Sequence, residues 1–132
     1  MYEPIRTKAV DPRIGVHHSE YPRSSRAEAL DIQLAGHLAA LLAVTDELGL
    51  DEAAAVVAAQ VARLRGAEPA RAALRPGHAL GAEATAALHQ RAHDHAARAL
   101  LVAASRADTT VAILAAERMD AHAAALDLVG AH

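Results

Sequence analysis

Apolar residues that recur every three or four positions are the feature that most constrains how this chain folds. The first and clearest run comprises Leu30, Leu34, His37, Leu41, Val44 and Leu48. This spacing forms one stripe along an α-helix and is typical of helices that pack in a bundle. Comparable runs follow in three later segments, so the sequence predicts an all-α protein.

Capping and turn residues divide the chain into four predicted helices, at about 26–48, 52–65, 82–107 and 109–129. Ser25 and Glu28 can form a capping box at the start of the first helix. Gly49 suits the left-handed position after a helix, and Asp51 can cap the next one. We therefore predict an antiparallel four-helix bundle made of two helical hairpins, with residues 26–132 as a single domain.

The break between the third and fourth helices rests on the phase of the apolar stripe. Before Asp108 the stripe comprises Leu88, Ala92, Ala96, Ala99 and Val102, and after it Val111, Ala115, His122, Leu126 and Val129. At 3.6 residues per turn the second stripe is rotated by roughly 100° from the first. One straight helix cannot direct both stripes at the same core, so Asp108 is predicted to cap a fourth helix, although no Gly or Pro marks the break.

Residues 1–25 are predicted to form an extended N-terminal arm. They contain Pro4, Pro12 and Pro22 and show no helical period. Two interpretations are open: a poorly ordered terminus, or an arm that crosses a partner subunit and is anchored by Tyr21 and nearby aliphatic side chains. The arm has no apolar core of a signal peptide, and no later stretch approaches 18 uninterrupted apolar residues, so neither a signal peptide nor a membrane span is expected.

Composition narrows the class of protein further. Hydrophobic residues make up 53% of the chain, but they are mostly Ala with Leu and Val, and Phe and Trp are absent. Because buried Ala removes little area from water, we expect self-association, with a homodimer as the simplest assembly.

The formal net charge of −3 and the lack of base-stacking aromatics argue against nucleic-acid binding. The absence of cysteine excludes disulfides and thiolate ligands and fits a cytoplasmic location.

The stretch LHQRAHDHAARAL, residues 88–100, raises the question of a metal site. His89 and His93 are one turn apart and point the same way, whereas His95 is rotated by about 200° from His93. Imidazoles at this four-residue spacing can each place a nitrogen about 2.0–2.1 Å from a zinc ion. His93 and His95 cannot both bind the same ion, so the histidine cluster forms two metal sites or none.

Further ligands would have to come from the other helices. His37 and His122 lie on apolar stripes and are predicted to be buried, so they are the candidate third and fourth ligands, with Asp94 or Glu117 as an outer partner. A divalent metal is the expected cofactor of such a site, because haem would require the small-residue interior to open. The alternative is that these histidines are packed side chains that hydrogen-bond within the protein.

Three residues of the last two predicted helices point to an interface. Leu101 and Ile113 lie outside the main stripes and suggest a second apolar surface that supports association. Arg118 lies on the core stripe, so it either pairs with an acid on another helix or faces a subunit interface. Together with Tyr21 of the arm, these are the predicted interface residues.

Catalytic signatures are not evident in the sequence. The serines lack a nearby base and a presenting turn, the glycines are too dispersed to cradle phosphate, and the Glu-x-x-His and His-Glu-x-x-His metal motifs are missing. The sequence therefore leans away from an enzyme. It favours a homo-oligomeric binding or scaffolding module, with a divalent-metal-binding protein as the alternative.

Overall fold

The chain folds into four helices joined by short turns and one longer connection. The computed structural model describes the backbone at residues 12–71 and 80–130 and the side chains at 25–71 and 80–128. The helices are α1 (Pro12–Glu47), α2 (Asp51–Arg65), α3 (Ala82–Arg106) and α4 (Thr109–Gly130). The described residues contain no strand, so the all-α prediction is confirmed.

The first helix begins at Pro12, well before the predicted start at about residue 26, so residues 12–25 are helical where an extended arm is predicted. Proline is tolerated in a first helical turn because its missing N–H would have no partner there. Pro22 removes one backbone hydrogen bond within α1, which is why the sequence pattern favours a break at this point. Ser25 consequently lies inside the helix and does not cap it. The remainder of the predicted arm, residues 1–11, lies outside the described residues.

The same capping motif ends α1 and α3. At the end of α1 the Leu50 N–H donates to the Thr45 carbonyl, and Gly49 has a left-handed φ of 75°. At the end of α3 the Asp108 N–H donates to the Ala103 carbonyl, and Ala107 has a φ of 60°. Both patterns are Schellman motifs, in which a left-handed residue lets the chain turn while the last carbonyls remain hydrogen-bonded.

Asp108 caps the fourth helix, as the phase of the stripes predicts. Its Oδ1 accepts a hydrogen bond of 3.1 Å from the Val111 N–H, in the first turn of α4. Its Oδ2 accepts a hydrogen bond of 2.8 Å from Arg63 at the end of α2. Burial alone would raise the pKa of Asp108, but the hydrogen bonds from Arg63 and the Val111 N–H outweigh it and hold that pKa below its ordinary value. The contact with Arg63 thereby connects the turn between α3 and α4 to α2.

The core consists of leucines from α1 and smaller side chains from the other helices. The larger aliphatic side chains of α1 that are fully or almost fully buried are Leu34, Leu38, Leu41, Leu42 and Val44. Opposite them lie Val57 and Val61 of α2, the alanines 92, 96, 99 and 103 of α3, and Val111 and Ala115 of α4. The extensive helix contacts are those of α1 with α2, α1 with α3, and α3 with α4. Four small residues along α3 let its neighbours approach closely on two sides.

Part of α1 has the composition of a membrane-spanning helix. The segment Ser25–Glu47 has 23 residues and a mean hydropathy of 1.4, the one such segment in the described part of the chain. It departs from the expectation that no stretch is apolar enough to cross a membrane. Core helices and signal sequences share these properties, and the leucines of this segment make the contacts of a core helix with α2 and α3.

Candidate functional site

Two histidines and an arginine meet in the contact between α3 and α4, hereafter the α3–α4 seam. His89 Nδ1 of α3 lies 2.9 Å from His122 Nδ1 of α4, and the two ring centroids are 5.1 Å apart. On the opposite edge of the His122 ring, Arg118 Nη2 lies 3.3 Å from Nε2. His122 is fully buried, as its place on the α4 stripe predicts, whereas His89 is half-buried at the edge of the α3 stripe.

The helical periods explain why these side chains meet. Arg118 and His122 are one turn apart on α4, on the same side as the buried Val111 and Ala115. The facing side of α3 carries alanines next to His89, so the two helices come close enough for a direct hydrogen bond between imidazoles.

The arginine determines which nitrogens of the two rings carry a proton. A guanidinium can only donate, so Nε2 of His122 must accept from Arg118 and carry no proton. The proton of neutral His122 is then on Nδ1, which donates to Nδ1 of His89. It follows that the proton of His89 is on Nε2. The three side chains form one directed chain of hydrogen bonds from Arg118 through His122 to His89.

Electrostatics keep both histidines neutral. Burial above all, and after it the charge of Arg118 and the neighbouring His89 and His93, together lower the pKa of His122 to about 4. Burial and, after it, the charge of Arg118 also lower the pKa of His89. Protonation of His122 would place an N–H donor against the guanidinium, so the hydrogen bonds and the charges favour the same neutral state.

The guanidinium of Arg118 lies apart from the acidic side chains of the described residues. Among the described residues no carboxylate lies within ion-pair distance of its guanidinium, and its Nε is buried without a hydrogen bond. Burial lowers the pKa of Arg118, which the adjacent Glu117 opposes without contacting it. An unsatisfied buried donor of this kind costs about 1–3 kcal/mol. Of the two predicted environments for Arg118, a pair with an acid on another helix is thus not found in the described part of the chain.

His93 lies one turn from His89 at the rim of the seam. Its side chain is 29% exposed, and its Nδ1 is buried without a hydrogen bond, 3.8 Å from Asp94 Oδ1. Asp94 instead accepts a hydrogen bond of 3.1 Å from Gln90. His93 therefore borders the His89–His122 pair without joining its hydrogen bonds.

His95 of α3 and His37 of α1 lie on the other side of α3 from the seam. His95 points toward α1, where His37 is close enough to lower its pKa, although burial and the charge of Arg98 lower that pKa more. His37 is half-buried, whereas its position on the α1 stripe predicts full burial. The helix therefore separates His93 from His95 as the 200° rotation predicts, and of the four predicted metal ligands His37 lies with His95 rather than with the seam.

The arrangement of nitrogen atoms at the seam can be compared with the geometry that a bound zinc ion requires. Two ligands of a tetrahedral zinc ion would be about 3.3 Å apart at ordinary bond lengths, somewhat more than the 2.9 Å between the two Nδ1 atoms. An ion bound to Nδ1 of neutral His122 would also require a proton on Nε2, where Arg118 donates. Among the described residues no cluster of three or more His, Asp or Glu side chains is arranged to hold a metal ion.

Two open clefts lie away from the seam, the smaller where α1 and α2 meet the turn between α3 and α4 and the larger between α1 and α2. Their volumes are about 450 and 580 Å³, and Asp31 and Leu64 line both. At the smaller cleft Arg106 donates to Asp31 over 3.0 Å, and Arg63 pairs with Asp108. These charged groups neutralise one another and leave no uncompensated charge for a ligand.

The predicted interface residues are found on the outer sides of α3 and α4. Leu101 is 71% exposed and Ile113 is 55% exposed, as expected from positions outside the stripes. Leu128 near the far end of α4 is also exposed. The side chain of Tyr21 lies outside the described residues.

Two features of the site were not anticipated from the sequence. The direct contact between His89 and His122 depends on how α3 and α4 are rotated about their axes, which the stripes define only coarsely. Ile32 is 74% exposed, and the signal for this was its position about 200° around the helix from Leu34.

Comparison with known protein families, characterised proteins and solved structures finds no match to this chain.

Proposed function

We propose that this protein is a homo-oligomeric helical binding module in which the outer surface of α3 and α4 contacts a second copy. The observation that carries the proposal is the exposure of Leu101 and Ile113, two large apolar side chains on adjacent helices. Each lies about two turns from the turn at Ala107, so they are at the same level of the fold. Exposed apolar side chains that form a patch mark association surfaces.

Charge supports a second copy as the occupant of this surface. The exposed charged residues on the outer face of α4 are all acidic, namely Glu117, Asp120 and Asp127. The exposed charges of α3 include Arg91 and Arg98. In a two-fold symmetric dimer the same patch is used by both partners, so α3 of one copy can meet α4 of the other twice. Such an arrangement covers the apolar residues and pairs opposite charges in one contact.

The proposal includes an antiparallel four-helix bundle as the unit that associates. The tight turns at Gly49 and Ala107 support this, since helices joined by two or three residues run in opposite directions when they pack on each other. Contact between α1 and α3 would then join the two hairpins. The proposal also places the module in the cytoplasm, which the absence of cysteine supports.

Sedimentation velocity of the full chain across a range of concentrations tests the association. The expected result is a dimer for the wild type and a shift toward monomer for Leu101→Glu and Ile113→Glu. Val56→Glu is the matched control, because Val56 is 51% exposed but lies on α2. A wild-type chain that stays monomeric throughout, or equal effects of all three changes, would overturn the proposal.

A divalent-metal site is the second candidate, and the approach of His89 Nδ1 to His122 Nδ1 favours it. Binding there requires Arg118 to release Nε2 of His122, after which His93 could rotate toward the ion as a third ligand. The ion would thus compete with the guanidinium for the same ring.

Equilibrium dialysis against zinc tests this candidate. One equivalent retained by the wild type and lost in both His89→Ala and His93→Ala would support it, and Arg118→Met should then strengthen the binding. His95→Ala is the matched control, since His95 lies on the opposite flank of α3. Zinc retention that is unchanged in the first two variants would reject the seam as a metal site.

A further inference from the structure

We propose that the larger cleft, between α1 and α2, is a second self-association surface on which another copy of this chain docks. The proposal does not depend on the contact through α3 and α4, because other residues carry it. It rests on an exposed isoleucine at the edge of an apolar cleft and on two opposite charges at the rim of the same cleft.

The cleft places a protruding side chain next to a hole. Ile32 of α1 lines the cleft and is 74% exposed, the largest exposed fraction among the large hydrophobic side chains of the described residues. The cleft has a volume of about 580 Å³, and its other apolar lining comes from the buried Ala35 and the partly buried Leu64. An open cleft of this volume has room for an isoleucine side chain.

A protruding side chain beside a hole is self-complementary under two-fold symmetry. In a two-fold contact both copies use the same patch, so a copy that inserts a side chain also receives one. With the symmetry axis along the cleft, the α1 side of each copy faces the α2 side of the other. Ile32 of each copy then enters the cleft of its partner, and both isoleucines are removed from water.

The charges at the rim favour the same arrangement. Glu28 on the α1 side and Arg65 on the α2 side both line the cleft and are exposed. Neither forms an ion pair within the described part of the chain, whereas the third charged residue of the cleft, Asp31, already accepts from Arg106. The two-fold contact opposes Glu28 of one copy to Arg65 of the other, twice.

The length of α1 allows the contact to continue beyond the cleft. Asp31 accepts from Arg106 at the end of α3 and lines the cleft with Leu64 near the end of α2. Residues 12–30 of α1, about 28 Å of helix, therefore lie past the ends of both neighbours. In the two-fold contact the two α1 helices run in the same direction and can lie side by side there.

The size of the patch sets the expected strength. Stable interfaces bury about 1,600 Å² in total, and the cleft itself is lined by six residues, so the contact is weak. Together with the contact through α3 and α4, it joins dimers into larger assemblies at high protein concentration.

Sedimentation velocity of the full chain across a range of concentrations tests the proposal. The wild type should form species larger than a dimer at the highest concentrations, and Ile32→Glu should weaken this step by about tenfold or more. Val56→Glu is the matched control, since it adds the same charge at an exposed aliphatic position of α2 outside the cleft. Ile32 is exposed, so its replacement leaves the core intact.

Charge reversal tests the pairing of the two copies. Glu28→Arg and Arg65→Glu each oppose like charges twice, and each should weaken the step by about tenfold, whereas the double variant should recover to within about threefold of the wild type. Glu52→Arg is the control, because Glu52 is an exposed acid at the other end of α2. Recovery in a single chain requires that one copy supplies both charges of the pair.

Leu101→Glu distinguishes the two association surfaces. This variant should still form dimers through the cleft at high concentration, and adding Ile32→Glu should abolish them. If only the contact through α3 and α4 fails, the wild type shows one association step, which responds to Ile32→Glu and not to Leu101→Glu.

Three results would overturn the proposal. The first is equal association of the wild type and Ile32→Glu at every concentration. The second is a double charge variant that does not recover. The third is an Ile32→Glu variant that unfolds at a different urea concentration but associates as the wild type does, which would show that a segment of the same chain covers the cleft.

Discussion

His122 Nδ1 of α4 donates a hydrogen bond of 2.9 Å to His89 Nδ1 of α3, so two neutral imidazoles on neighbouring helices share one proton. Arg118 holds the other edge of the His122 ring and thereby gives the hydrogen bond its direction. A buried polar contact of this kind specifies one rotation of α4 on α3, because a small rotation would leave several donors and acceptors unsatisfied.

The first prediction concerns the tautomers. At neutral pH the ring proton of His122 is expected on Nδ1 and that of His89 on Nε2, because Arg118 can only donate. Long-range ¹H–¹⁵N spectra of the histidine rings distinguish the two tautomers. A proton on Nε2 of His122 would contradict the directed chain of hydrogen bonds.

The second prediction concerns acid pH. The folded-state pKa of His122, about 4, is below the unfolded value of about 6.5, so unfolding takes up a proton between these values. The contribution of His122 to the free energy of unfolding is complete above pH 6.5 and is lost as the pH falls toward 4. The full loss is about 3 kcal/mol at most, measured by urea unfolding at several pH values.

His122→Gln should flatten this dependence, since the glutamine does not titrate. His95→Gln is the control, and this variant should keep the larger part of the pH dependence of the free energy of unfolding, although burial also lowers the pKa of His95. Equal slopes for the wild type and His122→Gln would show that His122 does not titrate as described.

The third prediction concerns the unpaired guanidinium. Arg118→Met retains most of the packing of the side chain and removes the buried Nε–H, which has no hydrogen-bond partner among the described residues. The change also leaves Nε2 of the buried His122 without its donor, so the two effects offset each other, and we expect the free energy of unfolding to change by less than about 1 kcal/mol and the pKa of His122 to rise. Urea unfolding and an NMR titration of His122 measure the two effects.

Arg98→Met is the matched control for this change, because Arg98 pairs with a histidine but is exposed. It should alter the free energy of unfolding by less than about 0.5 kcal/mol. A loss of several kcal/mol on Arg118→Met, as for a core truncation, would show that Arg118 is satisfied in solution by a group absent from this structure.

The fourth prediction concerns Asp108 as a cap. Asp108→Ala removes the acceptor for the Val111 N–H and the ion pair with Arg63, and should lower the free energy of unfolding by about 1–2 kcal/mol. Asp108→Asn keeps a capping oxygen and should recover most of that loss. Arg63→Met removes the half-exposed ion pair but keeps the cap, and it should lower the free energy of unfolding by less than about 1 kcal/mol. Equal losses for Ala and Asn at this position would mean that charge, not capping, dominates.

The sequence predicted those features that depend on one helix at a time. The stripe on each helix identified its buried face, and the difference in phase on either side of Asp108 located the break without help from Gly or Pro. The burial of His122 and the exposure of Leu101 follow from the same geometry. These properties are local, since a helix of known period defines the directions of its own side chains.

Features that depend on two helices, or on weighing local preferences, were not predicted. Whether His122 meets His37 or His89 depends on the relative rotation of the helices, and the structure pairs it with His89. The sequence places the start of α1 too late because the prolines and the missing helical period of residues 1–25 favour an extended arm, whereas a long helix tolerates the backbone hydrogen bond lost at Pro22. Half-burial of His37 at a stripe position shows that the width of a stripe varies along one helix.

The fifth prediction concerns the left-handed residue that separates α3 from α4. Ala107 has a φ of 60°, a region that glycine enters without the steric cost that a Cβ brings, and Gly49 occupies the equivalent position after α1. Ala107→Gly should therefore raise the free energy of unfolding by about 0.5–1 kcal/mol, after the greater flexibility of glycine in the unfolded chain is allowed for.

Two controls define the effect at Ala107. Ala104→Gly, at an exposed position inside α3, should lower the free energy of unfolding by about 0.5–1 kcal/mol, because there glycine only adds flexibility. Gly49→Ala should also lower it, since nothing lies within 4 Å of the added Cβ and backbone strain alone remains. Thermal and urea unfolding measure all three variants. If Ala107→Gly destabilises as much as Ala104→Gly, the left-handed turn is not maintained in solution, and α3 and α4 would have to meet in another way.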